Sequence, residues 1–208
     1  YLYKVIVLSN QSLSVIDSHQ TLLSAEQTSD FTAEVRAVRA LFYYYAMDMF
    51  GRVPIVTSYD VKLEQVVQSE RSEVFKFIVD ELQDVASQLA DAHSNKEGDY
   101  YGRVTRPVAN FLLAKLALNA EIYTDDNWTD GKRQDGKSIY FHVNGEKKNA
   151  WETCIWYCEQ LRQEGYALES DYASNFAVHN ESSKENIFTI PLDKNLYLNE
   201  YHYLFRSR

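Results

Sequence analysis

The chain has 208 residues, is 45% hydrophobic and 25% charged, and carries a formal net charge of −9. Only 7 Gly and 3 Pro interrupt it, which is typical of a globular chain with a helical bias. The acidic charge argues against nucleic acid and anionic membrane surfaces as partners, because both attract surfaces rich in Lys and Arg.

The first third of the chain predicts two helices that a turn separates. Residues 1–25 form the first helix, and the polar residues 24–30 form the turn. The second helix begins after an N-cap at Ser29 or Asp30 and ends at Gly51, since Pro54 forbids further helix. Its apolar side chains recur at steps of three or four and predict one buried face: Phe31, Val35, Val38, Phe42, Tyr45 and Met49.

Two arginines, Arg36 and Arg39, flank this apolar stripe. One interpretation is that they mark a binding surface. The other is that they brace neighbouring loops or carboxylates. The residues alone favour the second interpretation.

The middle of the chain predicts two further helices. The first, at 70–90, has an apolar stripe that we expect to be buried: Val74, Ile78, Leu82, Val85 and Leu89. Its acidic residues, Glu81 among them, are expected to face solvent. A polar loop at 91–103 leads to Thr105 or Arg106 as the next cap, with Pro107 in the first turn. The second helix, at 108–123, is apolar on nearly every side, which predicts that other helices surround it.

The remainder alternates extended and helical patterns. Residues 124–149 predict a small projecting β-hairpin with Asn144-Gly145 at its turn. A capping box of Asn149 and Glu152 opens a helix that ends at Gly165, with one predicted face of Trp151, Cys154, Ile155, Cys158 and Leu161. The spacing of Cys154 and Cys158 favours buried free thiols over a disulfide or a metal site. Residues 187–192 alternate as a strand does, and residues 197–205 are aromatic without an assignment.

Three separated motifs resemble the SusD/RagB family. The first runs from an Arg-x-x-Arg-Ala sequence to Phe-Gly-x-Val-Pro and comprises Arg36, Arg39, Ala40, Tyr43, Tyr44, Phe50, Gly51, Val53, Pro54, Val56 and Thr57. The second comprises Gly102, Arg103, Val104, Thr105, Leu112, Leu113, Ala114, Lys115, Leu116 and Leu118. The third comprises Glu185, Asn186, Ile187, Phe188 and Ile190.

The resemblance implies a fold, a function and a location. The fold is mainly α, a tetratricopeptide-like helical-repeat scaffold with long irregular loops and a small β-hairpin. Residues 1–208 are then a single SusD-like domain, a fragment without the family's N-terminal lipidation segment and C-terminal half. The implied function is non-catalytic capture of oligosaccharide by a surface lipoprotein of the outer membrane, with delivery to a SusC-like TonB-dependent transporter. Membrane association would come only through a lipid anchor outside this chain.

No catalytic signature and no cofactor motif occurs in the sequence, so we expect neither an enzyme nor a cofactor. The acidic run at 125–131 invites a calcium interpretation. The spacing of an EF-hand loop fails there, because Trp128 occupies a ligand position and Lys137 stands where Glu is required. A solvated acidic turn without metal is therefore the favoured interpretation.

Sugar recognition needs aromatic faces and hydrogen-bonding rims, and the chain contains 16 Tyr. Many of these must pack between helices, so the excess alone does not define a site. The loop residues predicted to bind a glycan are Trp128, Asn127, Asp130, Tyr100, Tyr101 and Tyr140, with Tyr197 as a further loop aromatic. The alternative for Trp128 is that it pins its loop to the helices. The alternative function is a tetratricopeptide-type adaptor that binds another protein.

Overall fold

The computed structural model of the chain describes residues 1–191. Helices make up about 54% of it, accompanied by two small two-stranded sheets. The helices are α1 Leu2–Ser18, α2 Ala25–Phe50, α3 Arg71–Val85, α4 Arg106–Leu118, α5 Ala120–Tyr123 and α6 Ala150–Gln163. The strands are β1 Val53–Pro54, β2 Gln68–Ser69, β3 Tyr140–Val143 and β4 Glu146–Asn149. The mainly α fold class is confirmed.

The helices pack around one core. Helix α2 lies between α1 and α3, and α4 packs against α6. Strands β1 and β2 pair antiparallel beside the end of α2, and β3 and β4 form the antiparallel hairpin that precedes α6. Within residues 1–191, no helix combines the length and the apolar character that a membrane crossing requires.

The start of α2 differs from the prediction. Helix α1 ends at Ser18, and Ser24 rather than Ser29 or Asp30 caps α2. The Ser24 hydroxyl accepts from the Gln27 amide at 3.1 Å, and the Gln27 side chain accepts from the Ser24 amide at 2.9 Å. The polar stretch predicted as a turn is therefore the first part of α2, because a capping box provides the missing helix-end hydrogen bonds.

The buried face of α2 also differs from the predicted stripe. Phe31, Tyr45 and Met49 are exposed, and the face that enters the core is Ala33, Ala37, Ala40, Tyr43, Tyr44 and Met47. Small Ala side chains let neighbouring helices approach closely, and the Tyr rings fill the space between them. Val38 and Phe42 of the predicted stripe are partly buried against the core, so the helical period was correct but the predicted face is rotated away from the centre of the buried face.

The acidic face of α3 is not uniformly solvated as predicted. Glu81 is buried beside Arg36 and Arg39 of α2. The interpretation that the two arginines brace carboxylates is confirmed, and the solvated position predicted for Glu81 is wrong. The predicted apolar stripe of α3 is buried in full, although the helix ends at Val85 instead of Ala90.

The segment predicted as one helix at 108–123 is divided at Asn119. Its side-chain amide donates to the Lys115 carbonyl at 3.0 Å, and the backbone leaves the α conformation there. Phe111, Leu118 and Ile122 are exposed, so the prediction that this segment is surrounded by helices is only partly confirmed. Thr105 is the N-cap residue, and Pro107 lies in the first turn.

The hairpin has the predicted turn but not the predicted projection. Asn144 and Gly145 both have positive φ, as a type I′ turn requires. Ile139, Phe141 and Val143 are buried, so the hairpin packs against the core through its apolar face. The alternation at 187–192 predicted a strand or an extended segment, and within the described part residues 187–191 belong to no strand, which excludes the first of these. Leu192 and the aromatic stretch 197–205 with Tyr197 lie outside the described residues.

Helix α6 has the predicted Asn149–Glu152 capping box, but its inner face is shifted. The buried positions are Ala150, Thr153, Tyr157 and Leu161, whereas Ile155 is exposed. Cys154 and Cys158 are free thiols as predicted, yet Cys154 is only half-buried and Cys158 is exposed, whereas both were predicted to be buried.

Iodoacetamide is expected to modify Cys158 well before Cys154 near neutral pH. Burial, followed by the neighbouring Cys158, raises the pKa of Cys154 to about 11, which leaves little of the reactive thiolate. Mass spectrometry after a brief exposure measures both rates in one sample. Equal labelling of the two cysteines would contradict the burial of Cys154.

Candidate functional site

A cleft of about 660 Å³ lies where the end of α2, strand β2, the start of α3, α5 and the following loop meet. We call it the α2 cleft. Its lining residues are Met47, Asp48, Met49, Phe50, Gly51, Arg52, Gln68, Arg71, Ile122, Tyr123, Asp125, Asp126 and Trp128. A volume of this size falls within the range that small-ligand sites occupy in proteins.

Local sequence explains why the chain opens here. Helix α2 stops at Gly51, whose φ of 71° is accessible to glycine without steric cost. The chain then turns into β1, so the side chain of Phe50 remains at the free end of the helix. Phe50 is 69% exposed, and it forms part of one wall of the cleft.

Trp128 is distant from Phe50 in the sequence but lines the same cleft. Its side chain is 77% exposed, so it does not pin the loop to the helices. An indole left in solvent at the edge of a cleft presents a flat apolar face together with one N–H donor. This combination suits a ligand that has both apolar and hydroxylated faces.

Hydrogen bonds and ion pairs hold the polar side chains of the cleft. The Gln68 amide donates to the Arg52 carbonyl at 2.9 Å, and the Arg52 guanidinium pairs with Glu70 at 2.8 Å. Arg71 donates to the backbone carbonyl of Asp125. These contacts hold the side chains of Gln68, Arg52 and Arg71 in place, so the cleft has a prearranged polar rim.

Tyr123 and Asp48 form a second fixed pair in the cleft. The Tyr123 hydroxyl donates to Asp48 Oδ1 at 2.6 Å. Burial first, and then the Asp48 hydrogen bond, raise the pKa of Tyr123 well above its usual value. The phenol therefore stays protonated, and Asp48, which also lines the cleft, makes no second side-chain hydrogen bond within residues 1–191.

The loop that carries Trp128 is anchored to the N-terminus of α3. Asp126 accepts from the Ser72 amide at 2.9 Å and from the Ser72 hydroxyl at 2.5 Å. A carboxylate at this position satisfies a free backbone N–H and interacts favourably with the helix dipole. Asp125 accepts from the Asn127 amide at 3.0 Å, which fixes the turn just before Trp128.

Asp126→Ala is expected to lower the free energy of unfolding by about 0.5–2 kcal/mol, as loss of a helix cap does. The same change releases the Trp128 loop from α3, so ligand affinity at the cleft should fall as well. Urea unfolding measures the first effect. Asp130→Ala is the control, since the Asp130 carboxylate accepts only from the Lys132 amide within its own loop, at 2.8 Å. Equal destabilisation by both changes would contradict the anchoring role.

The other predicted ligand-binding residues are distributed over several surfaces. Asn127 accepts from the Thr129 hydroxyl at 2.7 Å within the loop, as Asp130 does from Lys132. Tyr100 lies against Arg103 and beside a different hollow. Tyr101 is its neighbour in the 91–103 loop.

Tyr140 is on the hairpin, with the Lys147 amine 4.0 Å from its ring centre. Of the predicted set, Trp128 is the residue that the described structure places on the α2 cleft. The binding roles of the other five stay predictions.

Several cleft residues were not predicted from the sequence. Phe50 belongs to the Phe-Gly-x-Val-Pro motif, so the resemblance contained a signal for it. Gln68 and Arg71 carried none, because they come from a connector and from a helix start that meet Trp128 only in the folded chain.

The carboxylates of Asp125 and Asp126 in the acidic loop at 125–131 contact other residues of the chain. Asp126 bonds Ser72, and Asp125 lies 3.6 Å from the Arg133 guanidinium. No group of three or more metal-ligating side chains assembles within residues 1–191. The hydrogen bonds of this loop therefore orient Trp128 and α3.

The relatives found by comparison with known proteins agree with one another. The chain matches no protein-family profile. It is 34% identical over 178 residues to the starch-binding protein SusD of Bacteroides thetaiotaomicron, an alignment that covers 78% of this chain and 30% of SusD. The chain therefore spans less than a third of the length of that relative.

Solved structures show the same fold at lower identity. A SusD-like carbohydrate-binding protein from Bacteroides fragilis superposes with a TM-score of 0.69 at 21% identity, over 93% of this chain and 32% of that one. A laminarin-binding SusD-like protein superposes with a TM-score of 0.67 at 22% identity, over 90% of this chain and 35% of that one. The names of these relatives describe binding proteins, which agrees with a non-catalytic function.

Proposed function

Because the chain belongs to the SusD/RagB family, we propose that it binds neutral oligosaccharide at the α2 cleft without transforming it. The observation that carries this proposal is the exposed indole of Trp128 above a cleft with a fixed polar rim. The apolar C–H face of a pyranose ring stacks on the indole. Its hydroxyl groups reach Gln68, Arg71 and the carboxylate of Asp48.

The chemistry of the cleft favours a ligand of this kind. The lining carries Arg52 and Arg71 together with Asp48, Asp125 and Asp126, so both signs of charge are present and the carboxylates slightly outnumber the guanidinium groups. A neutral ligand with many hydroxyl groups can both donate to the carboxylate and accept from the guanidinium and amide groups. Relatives named for binding starch and laminarin support the same class of ligand.

We further propose delivery of the captured oligosaccharide to a SusC-like TonB-dependent transporter in the outer membrane. The chain would act at the cell surface as part of a lipoprotein. Membership of the SusD/RagB family supports this part of the proposal.

Trp128→Ala is expected to weaken oligosaccharide binding by about 10- to 30-fold, because loss of a central aromatic contact costs about 1.4–2 kcal/mol. Isothermal titration calorimetry with malto- and laminari-oligosaccharides measures the affinity. Tyr172→Ala is the matched control, since Tyr172 is an aromatic residue of similar exposure away from the cleft, 72% against 77%. Unchanged affinity of the Trp128 variant would contradict the proposed site.

The adaptor hypothesis requires a continuous concave groove between regular helix pairs. Here α5, a long loop and the hairpin separate α4 from α6 along the chain, and exposed aromatic residues lie on loops. This geometry favours glycan capture. Absence of binding to both oligosaccharides would favour the adaptor instead.

A further inference from the structure

A second groove lies on another part of the molecule and shares no lining residue with the α2 cleft. It is bounded by the end of α3, the start of α4, the hairpin turn and α6, and it encloses about 410 Å³. We call it the hairpin groove. The residues on which the inference depends are Gln83, Arg106, Asn110, Trp156, Gln160 and Glu164.

One polar atom of a lining residue is buried without a partner. Glu164 Oε2 has no hydrogen-bond partner among the described residues. Folded proteins rarely keep such an atom unless a ligand or ordered water satisfies it. Asn110 also lines the groove, and its side chain makes no hydrogen bond to another residue within 1–191, so its amide is available to a ligand there.

An aromatic surface lies beside these groups. The half-buried Trp156 lines the groove and contacts Tyr157 edge-to-face, with ring centres 4.9 Å apart. The Tyr157 hydroxyl in turn accepts from the Gln83 amide at 3.3 Å. The indole is therefore held in position by a buried neighbour, as a preorganised stacking surface would be.

The charges around the groove balance. Arg106 pairs with Asp91 and lies 3.9 Å from Glu164 Oε1. The Glu164 carboxylate would repel a ligand anion, and the Arg106 guanidinium would repel a ligand cation; each repulsion is an energetic penalty. Neutral hydroxyl groups meet neither penalty, because they donate to the carboxylate and accept from the amides of Asn110 and Gln160.

We propose that the hairpin groove is a second carbohydrate site, in which a pyranose ring stacks on Trp156 and bonds Asn110, Gln160 and Glu164. It rests on the proposed function only for the class of ligand. Its residues and location are independent of Trp128. Two sites on one chain would let a long polysaccharide bind with an avidity that neither site supplies alone.

The test uses the Trp128→Ala chain, in which binding at the α2 cleft is weakened, labelled with ¹⁵N. Malto- and laminari-oligosaccharides are added in turn, and the side-chain signals of Asn110, Gln160 and Trp156 are followed by NMR. We expect these signals to shift and saturate with at least one of the two oligosaccharides. Asn110→Ala and Gln160→Ala, each added to this chain, should each weaken the residual binding at least tenfold.

Matched controls separate binding from folding. Gln163→Ala changes an exposed amide on the same helix outside the groove and should leave residual binding unchanged. The melting temperature of Asn110→Ala shows whether this variant is folded, so that a loss of binding in a folded chain reports the missing amide.

Two results would overturn the inference. One is the absence of shifts in the three groove signals with either oligosaccharide. The other is residual binding that is insensitive to both groove variants. If the wild-type chain binds and Trp128→Ala removes all binding, the hairpin groove fails as a site while the proposed function stands. If the wild-type chain binds neither oligosaccharide, both proposals fail.

Discussion

Glu81→Leu is expected to lower the free energy of unfolding by about 3–5 kcal/mol, the usual cost of leaving a buried charge without its partner. Glu81 Oε2 accepts from Arg39 at 2.5 Å, and Oε1 accepts from Arg36 at 2.6 Å. Arg36 is partly exposed and keeps Asp84. Arg39 is 5% exposed and keeps only Asn10, at 2.9 Å, so it carries most of the loss.

The double variant Arg39→Met/Glu81→Leu provides the control. Replacing a buried ion pair by apolar side chains of similar volume is often neutral or stabilising, so the double variant should regain most of the lost stability. Guanidinium unfolding of both single variants and the double variant gives the coupling energy. A double variant as unstable as Glu81→Leu alone would show that the ion pair is not what the single change disrupts.

Tyr43→Ala is expected to cost about 3–5 kcal/mol, as truncation of a large buried aromatic residue does. The Tyr43 ring is fully buried and makes edge-to-face contacts with Phe77, at 5.1 Å between ring centres, and with Tyr3. Its hydroxyl donates to the Val56 carbonyl at 3.0 Å and accepts from the Val56 amide at 2.7 Å. One side chain thus joins α2 to the strand-like segment that follows it.

Tyr43→Phe separates the two contributions. It keeps the ring but leaves both Val56 backbone groups without this partner, which should cost about 1–3 kcal/mol. Thermal and urea unfolding of both variants measure the difference. If Tyr43→Phe were neutral, the hydroxyl would not hold the 53–57 segment, and the ring alone would account for the effect.

The helices were largely predictable because local signals determine them. The stripe of α3, the Asn149 capping box and the Asn144-Gly145 turn each follow from short-range patterns, and the structure contains all three. The start of α2 was missed although Ser24 and Gln27 form a capping box that sequence spacing alone can show. The burial of Arg39 on α2 was missed for a different reason. Its charge is paired with Glu81, which belongs to another helix, and the sequence of α2 does not show that pairing.

The candidate site was less predictable than the fold. The sequence left open whether Trp128 binds a ligand or pins its loop to the helices, and the structure places it exposed at a cleft. The polar partners at that cleft come from distant parts of the chain, such as Gln68 and Arg71. Asn110 appeared as one position in an apolar helix, and only the packing of α6 and the hairpin places it in the lining of the hairpin groove.

A crystal structure of the chain soaked with malto- or laminari-oligosaccharide tests the proposed site most directly. We predict a pyranose ring stacked on the Trp128 indole, with hydroxyl groups within hydrogen-bond distance of Gln68, Arg71 or Asp48. Oligosaccharide bound only elsewhere, with the α2 cleft empty and Trp128 free, would contradict the assignment of glycan capture to this cleft.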